Sequence, residues 1–162
     1  AAKKNIPVFC PAIADSGIGL SLAWHIQKRK EANRQPLLID TIQDNLEILK
    51  IKIEATKTGA IHIGGGVPKN YIQQIAPMGE ILNLKMPSHS YGIQITTDDP
   101  KWGGLSGCTF SESQSWGKYT DNARFATVYL DATIGLPLLF TACLEMKKTW
   151  YPRKALQIDF SK

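Results

Sequence analysis

The stretch Ala60-Ile61-His62-Ile63-Gly64-Gly65-Gly66-Val67-Pro68-Lys69, A-I-H-I-G-G-G-V-P-K, passes from an apolar run through three glycines to a proline and a lysine. A short apolar run closed by turn residues reads as a strand. Three successive glycines let the backbone turn tightly or approach a ligand closely, and the residues after them read as a helix whose N-terminus favours phosphate. The run is not the G-x-G-x-x-G fingerprint. It fits both a tight turn and a dinucleotide contact.

The same alternation recurs on both sides of this stretch. Ile6-Pro7-Val8-Phe9 and Leu37-Leu38-Ile39 read as two earlier strands, Tyr91 to Thr96 as a fourth and Phe125 to Leu130 as a fifth. Between them lie segments of helical period. One runs from Ile18 to about Lys30, with Ile18, Leu22, Ala23 and Ile26 in phase. Another follows a cap at Asp40 or Thr41, with Ile42, Leu46, Leu49 and Ile53 on one stripe and Gly59 beyond its end. A last helix runs from near Thr133 to about Lys148, with Pro137 in its first turns, where proline costs least. Strands alternating with helices predict an α/β fold, a Rossmann-like open parallel sheet with helices on both faces. In such a sheet ligands bind at the carboxyl ends of the strands. Here those ends carry Ala14-Asp15-Ser16-Gly17, the glycine triplet, Thr96-Thr97-Asp98-Asp99 and Asp131-Ala132-Thr133.

Composition narrows the class. The 162 residues suffice for one domain, 1–162, and 43% hydrophobic with 20% charged is a globular balance. Cys10, Cys108 and Cys143 are odd in number and far apart, which indicates neither a disulfide framework nor a zinc site and suggests a reducing compartment. No apolar run reaches a membrane span, and the first residues carry no signal-peptide pattern, so a cytoplasmic protein is expected. The net charge of +5 is spread over helix ends such as Lys28-Arg29-Lys30 and Lys147-Lys148, with no interleaved aromatics. That distribution reads as solvated surface, so neither nucleic acid nor membrane is an expected partner.

Several residues at loops and turns could carry chemistry. Asp131 after the fifth strand fits an N-cap or a ribose-binding carboxylate, and Asp15 faces the same choice. Glu112 closes a capping box with Thr109, or holds a cationic substrate. Cys108 reads as a small buried hydrophobe, and His25, His62 and His89 have neither metal spacing nor a partner visible in sequence. Lys118 follows Trp116 and Gly117, where Gly117 should end a short helix. A lysine beside an indole and a glycine-lined loop can be kept from water, and a desolvated amine presents the lone pair that imine formation needs.

Four stretches carry a likeness that spacing alone does not: I-P-V-F-C-P-A-I-A-D-S-G-I-G (6–19), G-G-G-V-P-K (64–69), E-S-Q-S-W-G-K (112–118) and Y-L-D-A-T-I-G-L-P-L-L (129–139). In this order they resemble the C-terminal half of the deoxyhypusine synthase family, the bacterial deoxyhypusine-synthase-like branch in particular. The resemblance implies an NAD-dependent transferase that moves an aminobutyl group from a polyamine such as spermidine, through a lysine imine, to an acceptor amine. That acceptor would be a protein lysine, or a diamine as in homospermidine synthesis. Lys118 matches the family's lysine. Trp116 matches a tryptophan on the polyamine, Glu112 a carboxylate near its amine, and Asn70 stands where the family has a substrate-side histidine. Asp15, Gly65, Gly66, Thr97, Asp131 and Ala132 match NAD contacts, so the resemblance brings Lys118 to the strand-end crevice.

Asn70, Leu20 and Leu105 depart from the family pattern, the leucines replacing acidic residues, so a polyamine cation would lose charged partners. The family's chain is about twice as long, which implies a likeness to its second half only. Its sites form between subunits, so the resemblance implies a tetramer-like homo-oligomer or a complex with the missing N-terminal half. A non-catalytic NAD-binding or partner subunit is the alternative.

Overall fold

The computed structural model describes residues 1–151; residues 152–162 and the side chain of Leu105 lie outside the described residues. The chain divides into two compact units, Ala1–Leu46 and Glu47–Lys162.

In the first unit, the 3-10 turn Ile13–Asp15 leads into helix α1, Gly17–Glu31. Ser16 caps α1: the Gly19 N–H donates to its Oγ at 3.1 Å while that hydroxyl donates to the Ile13 carbonyl at 2.7 Å. Gly19 is required there, because a Cβ would stand 2.0 Å from the Ile13 carbonyl oxygen. The D-S-G-I-G stretch is thus a helix start. Helix α2, Thr41–Glu54, crosses the division and is capped by Asp40, whose Oδ1 accepts from the N–H groups of Ile42 and Gln43.

The second unit holds a parallel sheet of three strands in the order β1 (Gly59–Ile63), β2 (His89–Thr96), β3 (Tyr119–Tyr129). Its helices are α3 (Gly66–Gln73), α4 (Ile75–Ile81), α5 (Gly104–Gly107), α6 (Phe110–Ser115), α7 (Ala132–Glu145) and α8 (Lys147–Trp150). Alternation sets the two faces. Ala60, His62, Gly92 and Gln94 point to the side covered by α3, α5 and α6. Ile95 meets α7 on the other side, where a Cβ on Gly135 would come within 3.1 Å of its Cγ2. The sheet is therefore an open α/β sheet with helices on both faces. No helix among the described residues is long and apolar enough to cross a membrane.

Five strands are expected from the sequence and three form among the described residues. Ile6–Phe9 and Leu37–Ile39 are irregular, with Val8 70% and Leu38 81% exposed. The physical reason is pairing: β-branched and apolar content permits a strand, but only a neighbouring strand satisfies its N–H and C=O groups. Gly59 opens β1 rather than ending α2, β3 begins at Tyr119, and the last helix breaks at Met146.

The core of this unit joins aliphatic side chains, Ile48, Leu49, Ile75 and Ile95 among them, to an aromatic and polar cluster. Phe110 stacks on Phe125 at 5.0 Å and meets Tyr119 edge-on at 5.2 Å. A buried polar cluster lies among them: the Cys108 thiol pairs with Ser113 Oγ, that hydroxyl donates to Gln73 Oε1, and Gln73 Nε2 and the Tyr119 hydroxyl both approach His62 Nε2, at 3.4 and 3.0 Å. A second network joins Lys52, Thr58 and His89, and His89 Nε2 donates to the Ile72 carbonyl at 3.2 Å. Burial pushes Lys52 down to about 8, and pushes His62 and His89 down to about 4, helped by Lys69 beside His62 and Lys52 beside His89. Both imidazoles are neutral in the fold and charge more readily when unfolded. Their contribution to stability is therefore complete above about pH 6.5 and is lost as pH falls toward about 4. Urea midpoints measured from pH 7 to pH 4 should fall over that window, and replacing either histidine by Gln should flatten the fall.

Candidate functional site

The lysine's setting begins with a helix end. Helix α6 starts at Thr109, whose Oγ accepts from the Glu112 N–H at 3.1 Å, as the capping-box spacing predicts. It ends in a Schellman turn: the Gly117 N–H donates to the Gln114 carbonyl at 2.9 Å and the Lys118 N–H to the Ser113 carbonyl at 3.1 Å. Gly117 takes φ +69°, the left-handed conformation this turn needs. The W-G-K order thus has a local cause, and the turn aims Lys118 inward just before β3. The His89 N–H donates to the Lys118 carbonyl at 3.0 Å, which ties the turn to β2. Gly117→Ala should lose roughly 1–2 kcal/mol through the left-handed conformation and lower Tm by a few degrees in a thermal melt.

Lys118 is 9% exposed. Its Nζ donates to Asn70 Oδ1 at 3.4 Å. Both line a cavity of about 280 Å³ together with Gln73, Gln74, Gly104, Cys108, Glu112 and Trp116. The structure thus brings Asn70, Glu112, Trp116 and Lys118 to one cavity. Trp116 is 69% exposed, so the indole forms the cavity's rim and is not what keeps water from the lysine.

This cavity is not at the carboxyl ends of the strands. Lys118 precedes β3, so in a parallel sheet it enters from the amino end, and α3 running back over the sheet meets it with Asn70. The carboxyl ends form a separate rim. There the Gly64 N–H donates to the Ile95 carbonyl at 2.7 Å and the Leu130 N–H to the Thr96 carbonyl at 3.0 Å, so the glycine triplet, Thr97 and Asp131-Ala132 follow three adjacent strands. Gly64 and Gly66 take φ +76° and +71°, and a Cβ on either would meet nothing within 4 Å. Gly65 differs, since its close neighbour is the chain itself: a Cβ would stand 2.5 Å from Ser106 Cα. Asp131 caps α7, its Oδ1 accepting from the Thr133 N–H at 2.8 Å and the Thr133 hydroxyl at 2.6 Å, and these bonds hold its carboxyl below the usual range. Asp15 belongs to the first unit, at the end of its 3-10 turn, and is exposed.

Sequence reasoning overlooks Lys69, which is 3% exposed. Its Nζ donates to Gln94 Oε1 at 3.0 Å, the Cys108 carbonyl at 2.5 Å and the Ser106 carbonyl at 3.4 Å. Burial lowers its pKa, with the Cys108 thiol and Glu112 raising it and Lys118 lowering it further. A signal for it existed. Lys69, Asn70 and Gln73 on α3, with Gln74 at its C-cap, form a polar stripe at helical spacing, where a stripe facing a core would be apolar.

An open α/β sheet with a shielded lysine in a flanking cavity and glycine-lined strand ends defines the class. The chain belongs to the deoxyhypusine synthase family, whose profile, described as "Deoxyhypusine synthase", matches residues 1–143. It is 45% identical over 152 residues to "Probable deoxyhypusine synthase 2" of Archaeoglobus fulgidus, covering 94% of this chain and 48% of that protein. It is 46% identical over 145 residues to "Probable deoxyhypusine synthase 2" of Methanosarcina mazei, covering 90% of this chain and 41% of the other. With the "Deoxyhypusine synthase-like protein" of Elusimicrobium minutum it shares 40% over 154 residues, which is 95% of this chain and 40% of that protein. The chain therefore spans about half the length, or less, of the curated relatives it matches.

Proposed function

We propose that the chain is the lysine-bearing part of an NAD-dependent aminobutyl transferase of the deoxyhypusine synthase type. The observation that carries this reading is a lysine, Lys118, buried to nine-tenths in the wall of a cavity that Glu112 and Trp116 also line. A tucked-away amine with a carboxylate close by suits a nucleophile that meets a cationic amine substrate.

The strand ends fit a dinucleotide. Gly64 and Gly66 leave open space at the N-terminus of α3, which favours phosphate, and Asp131 has its second carboxylate oxygen available for ribose hydroxyls beside Thr97 and Ala132. When bound, the dinucleotide would accept and return the hydride that the transfer needs. Lys118 adds through Nζ to the oxidised carbon of the donor, expels the diamine and carries the four-carbon amine as an imine. Glu112 holds the donor's ammonium, and Trp116 covers its methylenes at the rim. An acceptor amine, a protein lysine or a free diamine as in homospermidine synthesis, then displaces Lys118. We place the reaction in the cytoplasm, where the three free cysteines would stay reduced. The remainder of the site would come from the other half of a full-length chain, or from a partner in a tetramer-like oligomer.

Mixing the full-length protein with NAD and spermidine should raise the absorbance of reduced nicotinamide before any acceptor is added. No such signal, at NAD concentrations shown to saturate the protein, would favour the second reading, a non-catalytic binding subunit. One observation favours that alternative: the group facing Lys118 Nζ is the neutral amide of Asn70, which does not act as an acid or base near neutral pH.

A further inference from the structure

The loop that closes the lysine cavity also closes the strand-end rim. Gly104 and Cys108 line the cavity with Lys118, whereas Ser106, Gly107 and Cys108 line a small cleft with Thr96, Asp98 and Tyr129 at the carboxyl ends of β2 and β3. One wall therefore serves both places. Lys69 holds that wall: its ammonium bridges the carbonyls of Ser106 and Cys108 to Gln94, and Gln94 Nε2 in turn donates to the carbonyls of Gly64 at 3.0 Å and Ser106 at 3.1 Å.

The choice of a lysine for this task is informative. All three of its acceptors are neutral oxygens, so an ammonium is buried without an ion pair at its own position. A buried cation of that kind is costly to desolvate, and the three oxygens around it are what offset the cost. Three donors radiating from one atom do what methionine does not: they fix two carbonyls of the loop and one amide of β2 at once.

We propose that Lys69 is a positioning residue, which fixes the 104–108 wall so that the Lys118 cavity and the strand-end rim keep one register. This rests on the reading of Lys118 as the nucleophile. Lys69 does not touch the reacting atoms. Its removal should leave the fold intact, loosen the wall, and slow chemistry at Lys118 even when the donor is saturating.

The test compares wild type, Lys69→Met and Lys69→Arg in the full-length protein, with Lys69→Gln standing in should Lys69→Met fail to fold. Thermal melts, alkylation of Cys108 by iodoacetamide mapped by peptide mass with Cys143 as internal control, and the rate of borohydride-trapped adduct on Lys118 with NAD and saturating spermidine are measured. Lys69→Met should stay folded with a lowered Tm, from the oxygens left without a donor, alkylate severalfold faster at Cys108 alone, and trap on the order of 10²-fold more slowly at saturation. Lys69→Arg should recover part of both. An unchanged Cys108 rate, or a lower Tm with all cysteines exposed together, overturns the proposal. A faster Cys108 with no adduct even in wild type would uphold the wall and sink the nucleophile.

Discussion

Lys118→Arg is expected to keep the fold and lose the transfer. Arginine retains the positive charge and much of the length, so the contact with Asn70 and the burial at the end of α6 are conserved in kind. Its guanidinium stays protonated and has no lone pair with which to form an imine. The loss should approach that of removing a covalent nucleophile, on the order of 10³-fold or more in the transfer rate, with NAD binding unchanged. Steady-state transfer of a labelled donor to an acceptor amine, beside an NAD titration, measures both. Substantial transfer by the arginine variant would move the nucleophile elsewhere.

Gly65→Ala is the second large effect, and its cause is mechanical. A Cβ at this position would stand 2.5 Å from Ser106 Cα and 2.8 Å from Ser106 Cβ, and backbone cannot swing aside as a side-chain tip can. Overpacking of this kind costs typically 1–3 kcal/mol, lowering Tm by several degrees. The strain falls on the 104–108 wall, so transfer should fall on the order of 10²-fold beyond what the melt accounts for. Gly64→Ala provides the contrast: it meets no neighbour within 4 Å and carries only the conformational penalty of φ +76°. If both variants behave alike in melts and transfer, the packing of the loop on the glycine turn is not what the turn is for.

β1, the glycine turn, α3, β2 and α7 follow from local period and from glycine. The Schellman end of α6 follows from Trp-Gly-Lys, because only glycine takes that φ cheaply. The two segments around Val8 and Leu38 read as strands because composition speaks of capacity, whereas a strand needs a partner that these described residues do not supply. The side of the sheet on which Lys118 lies was also hidden. It depends on the parallel pairing of β3 with β2 and on α3 running back along the sheet to bring Asn70 to the lysine, both long-range facts. Lys69 was hidden for a different reason, since a lysine in a helix reads as solvated unless its stripe is inspected.

Covalent bonding of substrate to the amine at the end of α6 is the step on which the proposed transfer depends. Full-length protein incubated with NAD and spermidine, reduced with borohydride and digested, should yield one modified peptide carrying the four-carbon amine on Lys118, with none in the absence of NAD. A modified peptide elsewhere, or no adduct with any polyamine in protein shown to hold NAD, would contradict it.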